Sequence, residues 1–235
     1  MIIAATGDIH SPIYFEEFVK SIDALTIRPD IFIMAGDMID RGKVDEFDKI
    51  CNALFGKIDC PIISVFGNNE YEELKDEIKN RCKKVRFLDD QSIIMEIRGV
   101  SVGIFGSTGS LDEPTRWQKA HIPNIERIYQ LRYQIAEKHL ERMLTHIKIL
   151  VTHYAPTYKT LEGENPRTYQ SLGSKVWENL IIKYKPTLVI HGHSHRGSKF
   201  AWVDSVPVFN VAFPLNKKIV IIDTEKLKPG LLKFV

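Results

Sequence analysis

Short apolar runs that end near a glycine alternate with amphipathic stretches along the first third of the chain. The runs without polar alternation are Ile2 to Ala5, Ile31 to Ala35 and Pro61 to Phe66. They predict strands that are buried on both faces of a sheet. Between the runs, apolar residues recur at helical spacing at Phe15, Phe18, Val19, Ile22 and Leu25, and then at Val44, Phe47, Cys51 and Leu54. Ser11-Pro12 is the predicted N-cap and first turn of the first helix. This β-α-β-α-β series predicts a parallel sheet with right-handed crossovers.

The rest of the chain predicts further strands around a long helical segment. The predicted strands cover 86–88, 92–97, 100–105, 147–151, 188–190, 201–203, 206–211 and 219–222, with a hairpin turn at Arg98-Gly99. Predicted helices cover 114–144, which is polar with one apolar face, and 172–184. We therefore expect a single α/β domain over 1–235, with a helical insert at about 114–144. Its predicted architecture is a two-sheet sandwich of mixed, largely parallel core strands, flanked by helices.

Composition narrows the range of partners. The 235 residues are 44% hydrophobic, and 32 basic against 30 acidic residues leave a formal charge of only +2. This charge gives no strong field to hold a polyanion, so nucleic acid is not favoured as a partner. The N-terminus lacks the apolar core of a signal peptide, and no apolar run is long enough to span a membrane. We expect a cytoplasmic protein without a membrane partner, in an oligomeric state that stays open.

The cysteines point to the same compartment. Cys51, Cys60 and Cys82 show no C-x-x-C spacing. An odd number of cysteines with this spacing argues against a disulfide framework and against a cysteine metal site. We expect small buried thiols in a reducing compartment.

Polar residues follow the ends of five predicted buried strands. These motifs are Gly7-Asp8-Ile9-His10, Gly36-Asp37-Met38-Ile39-Asp40-Arg41-Gly42, Gly67-Asn68-Asn69-Glu70, Thr152-His153-Tyr154 and His191-Gly192-His193-Ser194-His195. In a parallel sheet the carboxyl ends of the strands share one edge, where open α/β sheets place ligands. We therefore expect five loops that are separate in sequence to meet in space.

The five loops carry a mixed set of nitrogen and oxygen ligands for metal ions. The candidates are Asp8, His10, Asp37, Asn68, His153, His193 and His195. Such a set suits Mn²⁺, Fe or Zn²⁺ better than Ca²⁺ or Mg²⁺. Seven ligands are more than one ion with an open coordination position can use, so the set predicts two ions that share a carboxylate. Each motif alone is also consistent with a turn, a helix N-cap, a buried histidine or a surface histidine tract. Their joint order at strand ends favours the metal site.

In this order the motifs resemble the signature of the calcineurin-like metallophosphoesterase superfamily, which runs D-x-H, G-D-x-x-D, G-N-H-D/E, a lone H and G-H-x-H. The resemblance spans positions 8 to 195, and the family's two-sheet fold agrees with the predicted strands. It implies that one ion is held by Asp8, His10 and His195, the other by Asn68, His153 and His193, and that Asp37 bridges both. It also implies a hydrolase that cleaves a small phosphorylated substrate with a hydroxide shared by two divalent ions, Mn²⁺ first and Fe or Zn²⁺ next.

One position departs from the family's pattern. Asn69 stands where the signature has a histidine, and an amide cannot deliver a proton near neutral pH. We expect slow turnover or a preference for good leaving groups, and by resemblance phosphodiesters are slightly favoured over phosphomonoesters.

Arg41 and His191 are further catalytic candidates. Arg41 resembles the phosphate-contacting arginine of Ser/Thr protein phosphatases, or is an exposed residue at a helix start. His191 either supports the ligands or only ends a strand.

Segments 114–144 and 157–170 are the expected source of specificity. They place Trp117, Tyr129, Tyr133, Tyr158 and Tyr169 near Arg116, Arg132 and Arg167. These side chains would stack a nucleobase, unless the segments are only an amphipathic helix and a solvated loop. The sequence thus predicts a metal-dependent phosphoesterase. The alternatives are a nuclease of the same superfamily and a non-catalytic metal-binding scaffold of the same fold.

Overall fold

The computed structural model describes residues 1–227, and residues 228–235 of the predicted domain lie outside the described part. The strands are β1 Ile2–Thr6, β2 Ile31–Ala35, β3 Ile62–Val65, β4 Val85–Phe87, β5 Gln91–Ile97, β6 Val100–Ser107, β7 Ile147–Thr152, β8 Leu188–His191, β9 Phe200–Val203, β10 Val206–Asn210 and β11 Val220–Asp223. The helices are α1 Phe15–Asp23, α2 Asp45–Leu54, α3 Lys75–Arg81, α4 Arg116–His121, α5 Ile125–Arg142, α6 Glu178–Tyr184 and α7 Phe213–Asn216. Thus α4 and α5 occupy most of the segment that was predicted as a helical insert.

The strands form two mixed sheets. The first sheet has the order β11-β1-β2-β3-β4, in which β1 to β4 are parallel and β11 runs antiparallel to β1. The second has the order β5-β6-β7-β8-β10-β9, with β6, β7, β8 and β10 parallel and antiparallel strands at both edges. The predicted fold class is confirmed. The β5–β6 hairpin turns at Arg98 and Gly99, where φ is 52° and 78°, as a tight hairpin turn requires.

Three apolar layers hold these elements together. Between the sheets, side chains such as Ile33, Val151 and Ile190 are fully buried. On the outer face of the first sheet, α1, α2 and α3 pack against β2 and β3, and on the outer face of the second, α5 and α6 pack against β6, β7 and β8. Each large apolar side chain buried in this way stabilises the fold by about 1.5–3 kcal/mol. The strands are therefore rigid supports, and their ends are free to carry polar loops.

Two predicted helix starts are wrong, because the residues expected there form hydrogen bonds to residues that are distant along the chain. Ser11 does not cap α1: its Oγ donates to Glu46 Oε2 at 2.6 Å, and the helix begins at Phe15. The helix predicted over 172–184 begins only at Glu178. Gly173 forms a β-bridge with Ala155, and the Ser174 N–H donates to the Ala155 carbonyl at 2.9 Å. These bonds keep the chain extended there, with 3₁₀ turns on either side.

The prediction of free thiols is wrong for two of the cysteines. Cys51 in α2 and Cys82 after α3 form a disulfide, with Cα atoms 6.3 Å apart, while Cys60 is free. The argument for a reducing compartment loses this support. Among residues 1–227, every helix is too short or too polar to cross a membrane.

Candidate metal centre

The polar loops meet at one end of the molecule, at two sheet edges rather than one. Asp8, Asp37 and Asn68 follow β1, β2 and β3 of the first sheet, whereas His153 and His193 follow β7 and β8 of the second. The two groups are in contact, because the His193 N–H donates to the Asp8 carboxylate at 2.9–3.0 Å. The site therefore lies at the seam between the sheets.

The first cluster consists of Asp8, His10 and His195, whose ligating atoms lie within 4.8 Å of one another. The Asp8 carboxylate is fully buried, and its Oδ1 lies 3.1 Å from His195 Nε2 and 3.9 Å from His10 Nε2. Burial alone would raise the pKa of Asp8, but the hydrogen bond from His195 and the neighbouring imidazoles lower it to about 2. The same bond raises the pKa of His195 against the effect of its burial. The carboxylate is therefore ionised and aimed at the imidazoles.

The second cluster consists of Asp37, His153 and His193, again with ligating atoms within 4.8 Å. His153 Nδ1 lies 2.9 Å from the Ala35 carbonyl, which accepts a hydrogen bond from the Nδ1–H, so that Nε2 of the neutral imidazole carries no proton. That bare nitrogen lies 3.1 Å from the Asn68 side-chain oxygen and 3.5 Å from Asp37 Oδ2. His153 Nε2, the Asn68 side-chain oxygen and Asp37 Oδ2 are all acceptors and lie close together. This arrangement suits a cation that binds all three.

Asp37 lies between the clusters. Its Oδ2 is 3.8 Å from His10 Nε2 and 3.5 Å from His153 Nε2. Burial, and then the charge of Asp8, raise the pKa of Asp37 to about 6, because two carboxylates away from water repel each other. His10 Nε2 is buried without a hydrogen-bond partner in the described part of the chain. Positive ions would satisfy this nitrogen and offset the carboxylate repulsion, so the residues fit a metal centre.

Burial also fixes the protonation state of two histidines. It lowers the pKa of His193 well below its usual range and that of His191 to about 4. Neutral imidazole is the form that binds metal ions. His193 is therefore ready as a ligand.

Four of the seven candidate ligands have a left-handed backbone. The φ angles of Asp8, His10, Asp37 and His193 are 57°, 44°, 51° and 69°. Each such residue costs on the order of 1 kcal/mol or more, and such positions concentrate at functional sites. Backbone bonds between the loops hold the conformation, including Asp8 N to the Gly36 carbonyl at 2.9 Å and His10 N to the Asp37 carbonyl at 3.0 Å.

Glu70 is a site residue whose role the sequence did not reveal. Its buried carboxylate accepts four backbone N–H groups, from Gly67 at 2.7 Å, Asp37 at 2.9 Å, Met38 at 2.7 Å and Ile39 at 3.2 Å. It therefore ties the loop after β2 to the loop after β3. Burial, and then the charge of Asp37, raise the pKa of Glu70 to about 7, against the opposite effect of its N–H donors. The available signal was an acidic residue three positions after Gly67.

Asn69, the first catalytic candidate, is held against Asp37. Its backbone N–H donates to Asp37 Oδ1 at 2.7 Å, and its Nδ2 donates to Oδ2 at 2.6 Å. Its Oδ1 accepts the Arg41 N–H at 3.0 Å. Asn69 thus orients the carboxylate between the clusters, and it also lines the adjoining cleft.

Arg41 and His191 are placed differently. The Arg41 side chain is 82% exposed and lies at the mouth of the cleft, with its Nε 4.0 Å from Asp40 Oδ1. His191 is fully buried at the end of β8, with Nδ1 2.7 Å from the Gly192 carbonyl, and it does not line the cleft. The structure therefore places Arg41 in the lining of the cleft and His191 outside it.

A cleft of about 1470 Å³ adjoins the clusters. Asn68, Asn69 and His193 form its inner wall, and residues of α4 and α5 form the opposite wall. Of the residues predicted to confer specificity, Trp117, Tyr129 and Arg132 line it, whereas Tyr133 packs on Trp177 in the core. The helical insert is thus positioned to contact whatever binds at the clusters.

Comparison with known proteins agrees with this fold and site. The model of the calcineurin-like phosphoesterase family matches residues 1–197. "Probable glycerophosphodiester phosphodiesterase GpdQ" of Arcobacter nitrofigilis is 26% identical over 209 residues, which cover 88% of this chain and 70% of that protein. The phosphopantetheinyl hydrolase PptH of Mycobacterium tuberculosis has a similar structure, with a TM-score of 0.70 at 16% identity over 93% of this chain and 95% of that one. The calcineurin-like phosphoesterase YfkN of Bacillus subtilis gives a TM-score of 0.55 at 15% identity over 88% of this chain and 80% of that one.

A two-sheet fold with paired ligand clusters at the sheet ends is that of a metallophosphoesterase. The chain belongs to the calcineurin-like phosphoesterase family. It is therefore a hydrolase, a metal-dependent phosphoesterase, and the resemblance inferred from its motifs is confirmed.

Proposed function

We propose that this enzyme hydrolyses phosphate esters at a centre of two divalent ions and prefers phosphodiesters slightly over phosphomonoesters. The observation that carries the proposal is the Asp37 carboxylate between two ligand clusters, with Oδ2 3.8 Å from His10 Nε2 and 3.5 Å from His153 Nε2. A carboxylate in this position is suited to bridge two ions. The proposed substrate is a small phosphorylated molecule.

In this proposal the seven candidates divide into two ligand sets around one bridging residue. Asp8, His10 and His195 bind one ion, Asn68, His153 and His193 bind the other, and Asp37 binds both. Mn²⁺ is the first choice, with Fe or Zn²⁺ next, because the set mixes imidazole nitrogens with carboxylate and amide oxygens. When bound, the ions activate a water molecule as the nucleophile and neutralise charge on the phosphoryl group.

The protein's own residues prepare the site for this reaction. The bond from His153 to the Ala35 carbonyl turns the other ring nitrogen toward the centre, and Asn69 fixes both oxygens of Asp37. Arg41, at the cleft mouth, is placed to contact a phosphoryl oxygen with its guanidinium. Since Asn69 cannot protonate a leaving group, esters with good leaving groups are expected to react fastest.

Two observations favour diesters. The relative from Arcobacter nitrofigilis is named as a phosphodiesterase, and Asn69 replaces the residue that would assist a poor leaving group. A diester also brings one negative charge to the site where a monoester brings up to two. This matters beside a cleft that is rich in carboxylates.

Hydrolysis of bis(p-nitrophenyl) phosphate with and without Mn²⁺, after chelation of the purified protein, tests the proposal. We expect Mn²⁺-dependent release of nitrophenol, and at least a roughly 100-fold loss in Asp37→Asn and His153→Ala. Asp76→Asn is the matched control, since its side chain is 93% exposed on α3. A wild-type protein that hydrolyses no aryl phosphate ester with any of the three metals contradicts the proposal.

The two alternatives have tests of their own. A non-catalytic scaffold need not retain about two ions per chain, so elemental analysis of the purified protein separates it from the enzyme. A nuclease of the same superfamily would cleave single-stranded DNA in a salt-sensitive way. The cytoplasmic location stays a prediction, and the Cys51–Cys82 disulfide removes the cysteine argument for it.

A further inference from the structure

The cleft beside the metal centre has an unusual balance of charge. Besides the buried Glu70, which four backbone N–H groups hold, five carboxylates line it against three side chains that are always cationic: Glu72, Glu73, Asp89, Asp90 and Glu164, against Arg41, Lys75 and Arg132. A negative group that entered the cleft would therefore meet an excess of like charge.

The two inner cations of the cleft are already neutralised. The buried Lys75 ammonium lies 2.9 Å from Asp89 Oδ2 and 2.7 Å from Glu72 Oε2. Arg132 Nε lies 3.3 Å from Asp90 Oδ2, and its Nη1 donates to the Gly109 carbonyl at 3.2 Å. Among the cations of residues 1–227 that line the cleft, Arg41, whose Nε lies 4.0 Å from Asp40 Oδ1, is the most available to an incoming anion.

The opposite wall of the cleft is apolar and aromatic. Trp117 is 57% exposed and stacks on His121 with ring centroids 4.7 Å apart, and Leu131 is 46% exposed. Deeper in, Tyr129 is only 6% exposed, and its hydroxyl has no hydrogen-bond partner within residues 1–227. This wall offers a flat stacking surface at Trp117.

We propose that this cleft is the subsite for the organic group of the substrate, and that it accepts an aromatic or aliphatic group that carries no negative charge. The phosphoryl group would lie at the ligand clusters near Arg41, and the organic group would extend along Trp117 toward Tyr129. The proposal rests on the proposed function and names its substrate class. It disfavours nucleic acid, since a neighbouring phosphate would enter the carboxylate-rich cleft.

Phosphonates test this directly, because each carries a single organic group and is not hydrolysed. Calorimetric titration of the Mn²⁺-loaded protein should give a Kd for benzylphosphonate at least about tenfold lower than for methylphosphonate, from the apolar area of the ring. 4-Carboxybenzylphosphonate should bind about tenfold more weakly than its neutral isostere 4-carbamoylbenzylphosphonate, with a smaller ratio at high salt.

Two exposed residues of the cleft provide the variants. Trp117→Ala should raise the Kd of benzylphosphonate about fivefold and leave that of methylphosphonate within about twofold. Glu73→Lys should reduce the penalty of the 4-carboxy group by at least about threefold. Ile94→Ala, at a 61% exposed side chain on the edge strand β5, and Glu16→Lys on the surface of α1 are the matched controls. Neither control residue lines the cleft.

The outcomes separate this inference from the proposed function. If aryl phosphodiesters are hydrolysed but the phosphonates bind with equal affinity, the subsite is wrong and the enzyme assignment stands. The subsite is also wrong if no phosphonate binds, or if Trp117→Ala and Ile94→Ala behave alike. Discrimination among phosphonates without any metal-dependent hydrolysis would support the subsite and overturn the proposed function.

Discussion

Replacement of Glu70 by glutamine tests whether one buried carboxylate holds the metal-binding loops in place. Oε2 accepts the N–H groups of Asp37 and Gly67, and Oε1 accepts those of Met38 and Ile39. A glutamine side chain keeps the size and one acceptor oxygen, but its amide nitrogen is a donor. Whichever way the amide turns, two backbone N–H groups face another donor.

The expected cost follows from this count. A buried polar group that loses its partner costs about 1–3 kcal/mol, so two of them cost roughly 2–5 kcal/mol after some relaxation. For a chain of this length, 1 kcal/mol shifts Tm by about 2–4 °C. We therefore expect the Tm of metal-free Glu70→Gln to fall by roughly 5–15 °C. Asp37 would also move, so the variant should bind Mn²⁺ about 10–100-fold more weakly.

Thermal melts with chelator and with saturating Mn²⁺, together with a Mn²⁺ titration, measure both effects. Glu16→Gln is the control, because its side chain is exposed on the surface of α1 and substitutions at such sites usually change stability by less than about 0.5 kcal/mol. A Glu70→Gln protein with the Tm and the Mn²⁺ affinity of the control would refute the role that we assign to this carboxylate.

Three further predictions concern protons, the leaving group and the ligand loop that follows β8. Burial raises the pKa of Asp37 from 3.8 to about 6, so this carboxyl binds its proton more tightly in the folded state and its contribution to stability is lost as pH rises. Buried His191 and His193, whose pKa values are lowered, act in the opposite direction in the wild type and in Asp37→Asn alike. In chelator, the Tm of the wild type should therefore fall relative to that of Asp37→Asn as pH rises from about 4 to about 7, and a constant difference would contradict this. Asn69→His should increase the ratio of kcat for a phenyl ester to kcat for the p-nitrophenyl ester at least about tenfold, because histidine is a proton donor that the poorer leaving group needs. An equal gain in kcat for both esters would show that no proton is delivered. Glu164 accepts the Arg196 N–H at 2.8 Å and the Ser194 hydroxyl at 3.1 Å, so Glu164→Ala should weaken Mn²⁺ binding about tenfold in a direct titration, whereas Glu162→Ala, whose carboxylate makes no such bond, should not.

The strands and the ligand motifs were predictable because both are encoded in short stretches. A fully apolar run such as Ile31–Ala35 has few alternatives to a buried strand, and Asp37 follows it at a fixed distance along the chain. The ordered set of such motifs identified the family before any contact was known.

What sequence reasoning missed depends on partners that are remote along the chain. The contact of Ser11 with Glu46 and the bridge of Gly173 to Ala155 moved two helix starts, and the Cys51–Cys82 pair joins two helices. The clamp formed by Glu70 depends on the packing of two loops, and the division of the ligands between two sheets depends on the strand order. None of these is visible as a local pattern.

The position of the centre at the seam between the sheets has a consequence for folding kinetics. Asp8 and Asp37 reach the centre from one half of the molecule, and His153 and His193 reach it from the other. An intermediate in which only one sheet has formed would hold an incomplete set of donors. High-affinity Mn²⁺ binding during refolding should therefore appear only when the halves dock, and each ion would then act as a latch that slows their separation.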